Sequence, residues 1–238
     1  MLRFYFYISY TTCMIYFAHR GASKQAPANS KEAFALARKQ GASCYELDVH
    51  LTRDGRLPVQ HDYTVGNTEH RVQEFTWPQL QAFCAENGIA CPALLEDVLP
   101  VVRPELACLN VELKNDDNVY PGIEKALLDL LHTCAADLLP KILFSSFDVS
   151  TLQRLRTLAA QANIGLLTRA FDPEQARALN ARSVHINQTR VTAQMVQACH
   201  AENRKVFVYT VNTLAAAQQL EQMGVDGIFT DVPELFLK

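Results

Sequence analysis

The chain has 238 residues, a mass of 26.7 kDa, and 49% hydrophobic against 20% charged residues. That supports a substantial core and excludes an intrinsically disordered, collagen-like or proline-rich chain. Lys and Arg total 22 against 25 Asp and Glu, for a net charge of −3 and a pI near 6.2, so no broad basic field exists for a nucleic acid backbone or an anionic bilayer.

Residues 1–17 carry many aromatic and aliphatic side chains and one charge, Arg3. The stretch is too short for a membrane span and lacks a small-residue cleavage site, so neither a stable membrane insertion nor a signal peptide is expected. Met14 directly precedes the strand-like run Ile15-Tyr16-Phe17-Ala18. Residues 1–13 therefore read as an N-terminal extension or a misassigned start, and 14–238 as one domain.

Short apolar runs at 15–19, 45–51, 108–114, 141–146, 164–168, 184–187, 206–210 and 227–230 read as strands. Helical patterns at 31–40, 94–102, 150–161, 173–179, 193–202 and 213–223 lie between most of them. Such alternation predicts parallel strands joined by right-handed crossovers, and eight units in a chain near the usual length of about 250 residues predict a (β/α)8 TIM barrel. A doubly wound sheet would carry a glycine-rich loop after its first strand, where only His19-Arg20-Gly21 stands.

The run 57–61 follows the second strand too closely for a parallel crossover, so it must return antiparallel, as a short β-hairpin excursion. Asp54-Gly55 is a preferred two-residue turn. With that turn His61 falls opposite Asp48, at the barrel mouth. The seven cysteines are odd in number, with no Cys-x-x-Cys pair, which predicts reduced thiols and a cytoplasmic location.

Polar residues cluster on two strands. In 45–51 the apolar residues are odd-numbered, which puts Glu46 and Asp48 on one face; in 109–114 the same period aligns Asn110, Glu112 and Lys114. Alternation of this kind more often marks a solvated antiparallel face. Here it recurs at the carboxyl ends of predicted parallel strands, where a barrel keeps its active site. Inward carboxylates need a cation, and all-oxygen ligands favour one hard divalent ion, Mg²⁺ or Ca²⁺, held by Glu46, Asp48 and Glu112.

His19 ends the first strand and His61 returns to the mouth, which suits a general acid and base pair. Arg20 and Lys114 supply fixed positive charge for an anionic group. One divalent ion, these two cations and a singly charged phosphodiester balance the three carboxylates. An uncharged substrate leaves an excess positive charge. His50, His70, His132, His185 and His200 read as structural, and Trp77, beside Pro78, as packing a surface helix onto the barrel.

His19-Arg20-Gly21, Pro27-Ala28-Asn29-Ser30, Glu46-Leu47-Asp48-Val49, Thr52-Arg53-Asp54-Gly55, His61-Asp62, Glu112-Leu113-Lys114, Gly224-Val225-Asp226-Gly227 and Thr230-Asp231-Val232-Pro233 follow one another in order. Together they resemble the glycerophosphodiester phosphodiesterase family across almost the whole chain, and Tyr209 stands where the family usually has Trp. The resemblance implies a metal-dependent barrel hydrolase that converts small-molecule glycerophosphodiesters, the deacylated phospholipids, to glycerol 3-phosphate and an alcohol. It implies Glu46, Asp48 and Glu112 as metal ligands, His19 as base, His61 as acid, and Arg20 and Lys114 as phosphate contacts.

The nucleophile is water or the glycerol 2-hydroxyl, the latter through a cyclic phosphate. The chain departs from the family at Ala28, where Glu is common, and at Val65-Gly66-Asn67-Thr68-Glu69-His70, which replaces an Arg-Thr-Thr-Gly stretch. Both changes fall in loops that shape the mouth. Rival readings are a lysophospholipase D-like enzyme on acylated substrates and a noncatalytic glycerophosphodiester-binding protein.

Overall fold

The structure is a computed structural model and describes residues 14–237. The expected extension 1–13 lies outside the described residues. Eight parallel strands close on themselves: β1 Ile15–His19, β2 Cys44–Val49, β5 Cys108–Leu113, β6 Ile142–Ser146, β7 Asn163–Thr168, β8 Ser183–Asn187, β9 Lys205–Tyr209 and β10 Gly227–Thr230. β1 pairs with both β2 and β10, which completes the (β/α)8 barrel. No helix among the described residues is long and apolar enough to cross a membrane.

Period-two patterning sorts the strand side chains. Tyr45, Leu47, Val49, Leu109, Val111 and Leu113 face outward into the main core, with Phe34 and Ala37 of α1 Lys31–Lys39 and Val98 and Val102 of α3 Leu95–Val102. The even-numbered residues between them face the axis. Registers β1–β2 and β2–β5 set His19 beside Glu46 and Asp48 beside Glu112. At the amino-terminal end Phe17, Cys108, Leu143, Phe207 and Phe229 form an apolar floor, with Phe17 stacked on Phe229 at 4.8 Å.

Helices start where side chains satisfy their first amide groups. Ser30 accepts from Ala33 N to begin α1, and Asp148 accepts from Ser150 N and Thr151 N to begin α5 Val149–Leu158. The helix α4 Ile123–Cys134 adds to those expected from the sequence. It starts after left-handed Gly122 with no capping side chain, so the usual amino-terminal signal is missing.

The excursion after β2 holds β3 Pro58–Val59, α2 Trp77–Glu86 and β4 Ala93–Leu94, with β3 antiparallel to both β2 and β4. Its register differs by one residue from the expected one: Val49 faces Val59, and the ladder ends there, so His61 is not opposite Asp48. The favoured two-residue hairpin turns, I′ and II′, both need a left-handed first residue. Gly55, at φ 81°, is left-handed and Asp54 is not, because its carboxylate accepts from Thr52 Oγ1 at 2.6 Å and Trp77 N at 2.8 Å. The loop is thus three residues, closed by Thr52 N donating to Arg56 O at 2.9 Å. Trp77 also differs from expectation: it packs in the excursion's own small core of Val65, Val72, Leu80 and Cys84.

Candidate active site

The loop after β1 is tightly wound. Arg20, Gly21 and Asn29 have φ of 59°, 83° and 62°. A Cβ on Gly21 would lie 2.5 Å from the Ala33 carbonyl carbon, so glycine lets this loop press against α1. Arg20 N donates to Glu46 Oε2 at 3.0 Å, and Arg20 Nε stands 3.2 Å from Asp48 Oδ2. Asn29 Nδ2 donates to the same Oδ2 at 2.9 Å.

The structure brings all seven expected residues to one mouth. Glu46, Asp48 and Glu112 each offer a carboxylate oxygen, and these oxygens lie within 4.8 Å of one another. Lys114 Nζ is 2.9 Å from Glu112 Oε1 and 3.8 Å from Asp48 Oδ1. His19, Arg20, Glu46, His61, Glu112 and Lys114 line a cavity of about 240 Å³ with Asn110, Ser145, Phe147, Leu167, His185 and Tyr209. His61 arrives by its loop, whose carbonyl lies 3.3 Å from Nε2 of buried His50; Nδ1 of His50 meets Tyr120 Oη at 2.8 Å.

Crowding of like charge is visible in the proton affinities. Burial, and then the Asp48 charge, push Glu46 well above the carboxylate range and Glu112 to about 7. Burial pushes Asp48 the same way, but Arg20 and then Lys114 outweigh it and hold the carboxyl below its ordinary value. Burial disfavours the Lys114 charge, yet Glu112 and Asp48 raise its ammonium above the ordinary value.

Buried Asp48 Oδ1 has no hydrogen-bond partner, and neither has Asn110 Oδ1. Such orphaned oxygens are rare. A hard divalent cation amid the carboxylates would occupy Oδ1 and favour ionised Glu46 and Glu112, so the donor set fits the expected metal.

Residues that escaped the sequence reading orient the first histidine. His19 Nδ1 is 2.6 Å from Asp231 Oδ1. Asp231 also accepts from Ser23 Oγ at 3.1 Å and, through Oδ2, from Asn212 Nδ2 at 2.7 Å. Burial raises the Asp231 carboxyl, but the bonds from His19 and Asn212 prevail and bring it down to about 2. Burial pulls the His19 imidazole below its ordinary value despite the opposing bond to Asp231. Asp231 therefore accepts from Nδ1–H, and Nε2 turns its lone pair to the cavity, 3.9 Å from Glu46 Oε2. The available signal was position, since Asp231 immediately follows β10 at its carboxyl end.

Carboxylates gathered around cations and imidazoles at the strand ends put the chain in the class of (β/α)8 enzymes, whose active sites lie at that face. The chain belongs to the glycerophosphoryl diester phosphodiesterase family, whose model matches residues 19–235. It is 33% identical over 237 residues to a glycerophosphodiester phosphodiesterase of Bacillus altitudinis, covering 93% of this chain and 96% of that protein. A second relative of that name, from Caldanaerobacter subterraneus, is 33% identical over 233 residues, covering 92% and 95%. Among solved structures, an Oleispira antarctica phosphodiesterase in complex with the product sn-glycerol-3-phosphate superposes with TM-score 0.83 at 26% identity, covering 93% of this chain and 94% of that one.

Proposed function

We propose that this chain hydrolyses glycerophosphodiesters to glycerol 3-phosphate and an alcohol, with one Mg²⁺ or Ca²⁺ held by Glu46, Asp48 and Glu112. The observation that carries the reading is the convergence of those carboxylates within 4.8 Å of one another, at a cavity that Arg20, Lys114 and two histidines line. When bound, the divalent ion would draw charge from the phosphoryl group as the phosphorus is attacked.

Arg20 and Lys114 bind the nonbridging oxygens and stabilise the same charge. His19, its Nδ1–H held by Asp231, takes the proton of the nucleophile at Nε2. His61, with Nδ1 at 2.7 Å from Asp62, delivers a proton to the departing alkoxide. Water and the glycerol 2-hydroxyl both fit as nucleophile. All six described cysteines are free, which supports a cytoplasmic location.

The test is release of sn-glycerol 3-phosphate from glycerophosphodiesters with Mg²⁺ or Ca²⁺, and its abolition by chelator. Binding of a diester with no product after long incubation under either ion would refute the hydrolase reading.

A further inference from the structure

Part of the cavity wall is aromatic. Phe147 and Tyr209 meet edge to face with centroids 6.3 Å apart. The Arg169 guanidinium carbon sits 4.7 Å from the Phe147 ring centroid. Arg169 follows β7, two residues beyond cavity-lining Leu167. Arg190, in the loop after β8, donates its backbone N–H to Asn187 O at 2.9 Å; burial and then the Glu112 charge raise the Tyr209 hydroxyl, and the charges of Arg169 and Arg190 oppose them.

Among the described residues no acid pairs with these two cations, and neither guanidinium has a hydrogen bond. The nearby acids are engaged elsewhere: Asp172 accepts from Glu174 N at the start of α6 Pro173–Ala178, and Glu174 pairs with Arg177. Arg169 and Arg190 both line a second, open cleft of about 600 Å³ with Phe171, Ile186 and Met195, and Arg169, over cavity-lining Phe147, stands between that cleft and the catalytic cavity.

We infer that Arg169 and Arg190 form a head-group subsite that selects diesters whose alcohol carries a further negative charge, a carboxylate or a phosphomonoester. The inference rests on the phosphodiesterase reading above and names the substrate class of that site. A cationic head group would look for an open aromatic face, and the Phe147 face already holds a guanidinium. A second cation meets repulsion there, whereas an anion gains charge-assisted hydrogen bonds from two planar donors. The cavity carboxylates do not cancel this preference, because Arg20 and Lys114 pair with them and the divalent ion proposed above would offset the rest.

The experiment compares kcat/KM within matched pairs. Glycerophosphoserine and glycerophosphoethanolamine differ by one carboxylate; glycerophosphoinositol 4-phosphate and glycerophosphoinositol differ by one phosphate. In at least one pair the more anionic member is favoured about tenfold, as charge-assisted bonds predict, and the ratio falls toward one in Arg169→Gln and Arg190→Gln. The pair that responds identifies the group recognised. Each ratio comes from one preparation, so it does not depend on how much of a variant folds. Ratios near one in both pairs of the wild type, or ratios unmoved by both substitutions, overturn the subsite and leave the hydrolase intact. Failure to cleave any of the four diesters overturns the hydrolase reading and the subsite with it.

Discussion

Asp231→Asn should remove most turnover while sparing the fold. The carboxylate accepts at both oxygens, from His19 on one side and Asn212 on the other. An amide can keep only one of those bonds. Asn212 cannot turn over to accommodate it, because Asn212 Oδ1 already accepts from Asp231 N at 2.8 Å and Thr230 Oγ1 at 3.2 Å. The new N–H is therefore presented to His19, which turns Nδ1 into the acceptor and puts the proton on Nε2, where the base is needed.

Restoring the useful tautomer forfeits a charge-assisted bond and sets two donors face to face, a cost of about 3–4 kcal/mol, or between two and three decades in kcat. KM should move little, since Asp231 does not line the cavity. The assay is steady-state glycerol 3-phosphate release with a parallel thermal melt. A kcat within about threefold of wild type in a folded variant would refute the orienting role, because a lost base costs at least about a hundredfold.

His61→Ala should keep the fold and cation affinity yet lose at least about 100-fold in kcat, and near-normal turnover would remove it from the mechanism. Mg²⁺ or Ca²⁺ at a hundred times its dissociation constant should add about 2.7 kcal/mol of stability, read as a melting shift of about 5–10 °C that Glu46→Gln diminishes. A melting temperature indifferent to both ions would contradict a shared carboxylate site.

Burial brings His185, bonded to Ser183 at 2.8 Å, down to about 3. Below about pH 6.5 the unfolded chain takes up a proton that the folded one refuses, so stability declines as pH falls from 6.5 toward 3, by on the order of 4 kcal/mol in all. Urea titrations across that range should show a shallower decline in His185→Gln; equal slopes would deny His185 this role.

The barrel was legible because alternation survives in single elements: Leu47 and Leu113 point outward and Asp48 and Glu112 inward by parity alone. The carboxylate triad followed from the same rule, and so did Lys114. What stayed hidden depends on contacts distant in sequence. Asp231 acquires its role through His19, 212 residues away along the chain. The hairpin register turned on Asp54, whose engagement by Thr52 and Trp77 leaves no sign in the dipeptide itself. Ala28, which departs from the family pattern, proves exposed, whereas its neighbour Asn29 is buried against Asp48.

The phenylalanine floor beneath the carboxylates has a kinetic corollary. Phe17, Phe207 and Phe229 stopper the barrel from below, so reactants and products share one doorway at the strand ends. Under the hydrolysis proposed, the alcohol would lie beside Phe147 and Tyr209 at that doorway and leave first, and glycerol phosphate, among the charges, would leave last. Turnover would then be an ordered discharge, with the phosphorylated product as the species that competes with incoming diester.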